Sequence, residues 1–260
     1  MQGDGGLAPP LQTNQGGEEV IMNIIKIENE EQLKELFKTG VRVGETVAIN
    51  VGSDLEGTIE VWGELTVMLG VWCKNITVKA YHHSRINAMS DTSINVIAHN
   101  GSIVDARGNT KVEAYGNTKV KVGGNAIVEY DDIGEPTIEA YGNAIVKALH
   151  GRVMIVAYGK AKVEAHGGAF VRAYGNSSIE AYDGVIVDAN DSATVEAYDE
   201  AIVRARWEVS VKTHNKVIVK SSNCREIVLN DFSTAIVGEH KDFGRPDVVV
   251  ASEKAKVIEY

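Results

Sequence analysis

Cysteine, positive charge and long apolar runs are all scarce in this chain of 260 residues, and each scarcity removes a class of protein. Cys73 and Cys224 are the only cysteines, too few and too far apart for a disulfide framework or a zinc site. Two reduced, buried thiols are the expectation. The 26 Lys and Arg are outnumbered by 36 Asp and Glu, for a net charge of −10. A sequence-independent grip on nucleic-acid phosphates is therefore not expected. No apolar stretch approaches the ~20 residues of a membrane helix, and the N-terminus lacks the basic and apolar blocks of a signal peptide. The expectation is a protein of the cytoplasm or of a virion, with no membrane partner. G-x-S-x-G, the P-loop, H-E-x-x-H and the dinucleotide fingerprint are all missing. Hence no catalytic, cofactor-binding or metal-ligating residue is assigned.

Organisation along the chain begins with "MQGDGGLAPPLQTNQGGEE", rich in Gly, Gln and Pro and without an apolar period, read as a flexible arm over residues 1–19. Residues 20–58 read as an N-terminal cap. Within it "IENEEQLKELFKTG" carries acids at its front, Leu33, Leu36 and Phe37 on one face, Lys38 in the last turn and Gly40 as a stop. Those signals predict one short helix, about residues 29–39. From Val41 onward the pattern alternates apolar and polar residues, broken by Gly, Asn, Asp or Ser, which is strand chemistry with turn punctuation.

Residues 59–237 repeat a unit of mostly eight residues, clearest in "SSIEAYDGVIVDANDSATVEAYDEAIVRA" from Ser177 to Ala205. Each unit centres on a β-branched anchor such as Val146, Val163, Ile179 or Val195, with small residues two before it (Ala144, Ala161, Ala193) and two after it (Ala148, Ala165, Ala181, Ala197). Strand side chains alternate between faces, so these three positions share one dry seam and the residues between them share the surface. Gly or Asp four after the anchor (Gly142, Gly159, Gly175, Asp183, Asp199) suits a tight corner with positive φ. A four-residue strand cannot bury its seam alone, so the units must stack into an all-β parallel solenoid, one rung every ~4.8 Å. Residues 238–260 read as a C-terminal cap.

The coil length follows from the outward residues. At a spacing of sixteen, the position before the anchor sorts into Met154, Phe170, Ile186, Ile202, Ile218 and into Lys162, Ser178, Thr194, Ser210; at twenty-four the columns mix. Two strands and about 16 residues per coil are therefore expected, with a three-stranded triangular coil as the alternative.

Three outward columns are candidates for function. The apolar one, flanked by Tyr158 and Tyr174, would run roughly 19 Å over five rungs. It is the expected interface, with another copy, with the chain's own termini or with a foreign partner. On the other sheet Glu164, Glu180 and Glu196, bracketed by Lys147 and Lys212, form an acidic ladder whose like charges repel by about 1 kcal/mol even in water. A cation or a basic partner would relieve it, although a solvated face is the plainer reading. The third is the tyrosine set Tyr115, Tyr141, Tyr158, Tyr174, Tyr182 and Tyr198, each three after an anchor; stacking between rungs is expected, with Tyr182 and Tyr198 as candidate partner contacts. His166 and His214 fall in one column three coils apart and read as surface residues. The insertion "DDIGEP" (Asp131–Pro136) reads as a turn rather than as an acid/base pair.

The octads "AIVEAYGN", "KVEAHGGA", "SATVEAYDEA" and "AIVRA" resemble the [AS]-x-V-x-A-[YW]-[GD]-[NS] repeats of uncharacterised β-solenoid proteins from bacteria and their phages, over about Ser93 to Asn223. The resemblance implies a solenoid without an established enzymatic role and supplies no catalytic residue. The expected function is a structural or attachment rod, a scaffold, spacer or decoration, that forms homo-oligomers or joins a virion. The alternatives are an intracellular protein-binding adaptor and a polysaccharide-acting β-helical enzyme.

Overall fold

The computed structural model describes residues 24–39, 46–49, 56–70, 73–90, 93–238 and 249–259; the expected arm, 1–19, lies outside them. The chain winds as a flattened parallel β-solenoid of two sheets. Among the described residues a long sheet has 14 strands and a short sheet has 12, and from Thr46–Ile49 onward consecutive strands alternate between them. Phe170 pairs with Ile186 and Ile186 with Ile202 on the long sheet, while Ser178 pairs with Thr194 on the short one. The pairing step is therefore sixteen residues, and the two-strand coil holds; the triangular alternative does not.

The seam is where the repeat placed it. Ala144, Val146 and Ala148 are buried, as are Ala193, Val195 and Ala197, and Ala157, Ala173, Ala189 and Ala205 form the equivalent column across the long sheet. Alanine recurs because side chains from both sheets fill one narrow layer. Serine and threonine replace it at a few buried positions: Ser102 Oγ donates to the His99 carbonyl (2.6 Å), and Thr213 Oγ1 donates to the Val228 carbonyl (3.4 Å).

Two corners close each coil. The first leads from the short sheet to the long one and the second leads back. Both need a left-handed residue, supplied by Gly142, Gly159 and Gly175 on the second corner and by Asp183, Asp199, Asn215 and Asp231 on the first. Asp and Asn offset the backbone cost with hydrogen bonds to the coil before. Asp191 Oδ2 accepts from the Gly175 amide (2.9 Å), and Asn215 Nδ2 donates to Asp199 Oδ1 (2.8 Å).

The solenoid extends beyond the expected 59–237. Strand β1 (Ile24–Ile27) pairs with β2 (Thr46–Ile49) on the long sheet, and the segments Val249–Ala251 and Lys256–Glu259 continue the short and long sheets. Helix α1 (Glu30–Thr39) is inserted between β1 and β2. A reciprocal capping box starts it: Asn29 Oδ1 accepts from the Gln32 amide and Gln32 Oε1 accepts from the Glu28 amide, both at 2.9 Å. Leu33 and Leu36 are buried against the first coils. The Phe37 ring lies over Gly57, where any Cβ would collide with it. The apolar face of α1 therefore covers the end of the core and not the outward column of Met154.

One coil departs from the pattern. At the seam position where its neighbours have Ala114 and Ala148, the short sheet carries Tyr130, fully buried. The larger ring coincides with the insertion Asp131–Pro136, which makes room for it at the first corner. Asp132 Oδ2 accepts from the Gly116 amide (2.7 Å) and Asn117 Oδ1 from the Glu135 amide (2.8 Å). Asp131 pairs with His150 and Glu135 with Arg152, leaving Ile133 exposed at the tip. The insertion is a pinned turn whose carboxylates do not converge.

Candidate functional site

The candidate surfaces are the outer faces of the two sheets, and each rung contributes its first and third strand residues to them. On the long sheet the first-position column reads Met154, Phe170, Ile186, Ile202 and Ile218, continuous in register. Met154 and Ile218 at its ends are 40% exposed, and the three between are half-buried by their neighbours. The third-position column beside it reads Glu139, Val156, Arg172, Asp188, Arg204 and Lys220. Arg204 Nη1 meets Asp188 Oδ1 at 3.3 Å, and the Arg172 guanidinium lies 5.3 Å from the centre of the Phe170 ring. Tyr141, Tyr158 and Tyr174 stack along the second corner at 4.9 and 5.3 Å, beside the third-position column, which separates them from the apolar one.

The short sheet presents the acidic ladder, with Glu164, Glu180 and Glu196 on successive rungs between Lys147 and Lys212. Its two outer charges are met by lysines of the chain. Lys212 Nζ binds Glu196 Oε1 at 2.8 Å and Lys147 Nζ lies 3.7 Å from Glu164 Oε2. Tyr182 Oη donates to Glu180 Oε2 (3.2 Å). His166 and His214 are not the bare surface residues expected: they cap an aromatic stack of His166, Tyr182, Tyr198 and His214, with spacings of 4.4, 4.6 and 4.6 Å. From there they reach Glu164 (3.3 Å) and Glu196 (3.0 Å). The rings of Tyr182 and Tyr198 thus face other rings, and only their edges are free for a partner.

The local reason is a short motif. Glu-Ala-Tyr or Glu-Ala-His places an acid and a ring two residues apart, on one face of the strand and its corner, so the ring's polar atom falls onto the carboxylate. Tyr141 Oη donates to Glu139 Oε2 at 2.8 Å in the same manner on the long sheet. That hydrogen bond, followed by burial, pushes the Tyr141 hydroxyl up to about 12. Burial and then Glu196 raise Tyr198 to about 12 as well. Glu196 is lowered to about 2, chiefly by the Lys212 hydrogen bond, with His214 and Tyr198 adding to it against the cost of burial. A second stack, Trp62, Tyr81, His99 and Tyr115 at 4.0, 4.7 and 5.1 Å, runs along the first corner nearer the N-terminus. Its members Trp62, Tyr81 and His99 were not singled out from sequence, although the sixteen-residue spacing of His99 and Tyr115 carried the signal.

Among the described residues no group of three His, Cys, Asp or Glu side chains is placed to hold a metal ion, and no helix is long and apolar enough to cross a membrane. An open depression of about 550 Å³ on the first corner is lined by Asp183, Asp199, Glu200, Asn215, Lys216 and Phe232. Comparison with protein-family models, with curated proteins and with solved structures finds no match.

Proposed function

We propose that the chain is a structural rod, a spacer, scaffold or attachment element without catalytic activity, that self-associates through the apolar column of its long sheet. The observation that carries this reading is the unbroken run of Met154, Phe170, Ile186, Ile202 and Ile218 on one outer face. A contiguous apolar strip on a soluble rod marks a surface that is covered in use. The repeat's resemblance to bacterial and phage solenoids supports a place in a virion or in the bacterial cytoplasm. The net charge of −10 speaks against a nucleic-acid partner. An adaptor acting through Glu180, Tyr182 and Tyr198 is disfavoured, because those groups are engaged with one another. Light scattering on the wild type and on the double variant Ile186→Lys, Ile202→Lys tests the reading: an oligomeric mass that falls to the monomer is expected, and a monomer in both cases contradicts it.

A further inference from the structure

We propose that two copies pack their long sheets face to face with the rods antiparallel, about a two-fold axis between the strands Phe170–Ala173 and Ile186–Ala189. The inference rests on the reading of the apolar column as a self-association surface, and adds the partner and the register.

Closed dimers are isologous, so the same face must complement itself. With the axis along the rod midline, the apolar first column of one copy would meet the charged third column of the other. With the axis along the strands, each column meets itself in reversed rung order, so the apolar column lies largely on itself. The charges of the third column then select the register, because like charges across an interface are costly.

Centring the axis on Ile186 opposes Asp188 to itself and Arg172 to Arg204. Moving it one half-step towards Ile202 opposes Arg172 to Lys220, and centring it on Phe170 opposes Arg172 to itself and Lys121 to Lys220. Between Phe170 and Ile186 these clashes vanish. Arg172 faces Asp188, Glu139 faces Lys220, Val156 faces Arg204 and Lys121 faces Ile236, each pair occurring twice by symmetry. In the same register Phe170 lies on Ile186, Met154 on Ile202 and Ile218 on Thr137.

The area agrees. This overlap covers ten strands of the long sheet, from Ile103–Gly108 to Lys256–Glu259. Ten rungs of ~4.8 Å by four residues of ~3.3 Å give roughly 600 Å² of face per copy. The bordering tyrosines bring that towards the ~800 Å² per partner of a standard interface. Five apolar residues alone would fall well short, so the charged column is part of the surface.

The test uses the pair Glu139 and Lys220. In one chain they lie five rungs apart, about 24 Å, so they can compensate each other only between copies. Sedimentation velocity over a range of concentrations is measured for the wild type, Glu139→Lys, Lys220→Glu, the double variant and Ile202→Lys, with circular dichroism confirming the fold of each. Expected are a wild-type dimer, a dissociation constant raised about tenfold or more in either single charge variant, and recovery to near the wild-type value in the double variant. Charge variants without effect, or a double variant no tighter than the weaker single, would overturn the antiparallel register while leaving self-association standing if Ile202→Lys dissociates the dimer. A wild type that stays monomeric, or a dimer indifferent to Ile202→Lys, would remove the underlying reading and the register with it.

Discussion

The two sheets share one interior and differ outside. Val187 and Ala189 on the long sheet and Val195 and Ala197 on the short one are buried alike in the same seam. Their outward neighbours diverge: Ile186 and Ile202 continue an apolar column, whereas Ser178 and Thr194 do not. The seam restricts inward positions to small or β-branched residues, because both sheets must fit one thin layer. The seam does not constrain the outward positions, and it is there that the two faces differ. The short sheet carries Glu, Lys, His and Tyr paired among themselves. The long sheet keeps apolar atoms outside for five rungs, which fits a covered face.

The largest expected effect probes the bulkiest departure from the alanine seam among the described residues. Replacing Tyr130 by Ala should leave a cavity beneath the Asp131–Pro136 turn and cost about 3–5 kcal/mol in chemical denaturation. Tyr130→Phe should cost about 1 kcal/mol or less, since no side chain hydrogen-bonds the buried hydroxyl. Next in size is overpacking. Ala181→Leu on the short sheet and Ala189→Leu on the long one should each cost about 1–3 kcal/mol, and unequal costs would show that the seam is not shared.

Smaller effects concern the outer ladder. Because the Glu196 pKa is lowered from an ordinary 4.5 to about 2, its ionised form stabilises the fold above pH 4.5, and that contribution fades as pH falls towards 2. Removing the largest cause with Lys212→Met should flatten the acid limb of a pH series of urea unfolding curves in that window. The same change at Lys220, on the other sheet, should leave the limb as it was. The smallest effect is spectroscopic: Glu139→Gln should bring the Tyr141 hydroxyl down from about 12 towards its ordinary 10 in a phenolate absorbance titration, with stability at neutral pH almost unchanged.

The two-strand coil, the alanine seam, the corner residues, α1 and the columns of both faces were legible from residues alone, because a solenoid writes its pairing register into its period. The ends were less legible. Ile24–Ile27 and Thr46–Ile49 flank a helix of ten residues, so their pairing lies outside the period although they join the long sheet. The roles of His166 and His214 were missed because a ring stack depends on side-chain direction at the corner, which spacing does not encode. Tyr130 gave a signal in hindsight: a bulky residue at an alanine position immediately before the longest acidic insertion in the repeat.

The central proposal is that the apolar face of the long sheet is covered by a second copy and the short sheet is not. Ile202 and Thr194 occupy the same position of adjacent repeats, on opposite sheets. Sedimentation equilibrium of Ile202→Lys and Thr194→Lys compares them directly. The account predicts that the first becomes monomeric while the second keeps the wild-type mass; equal behaviour of the two variants would contradict it.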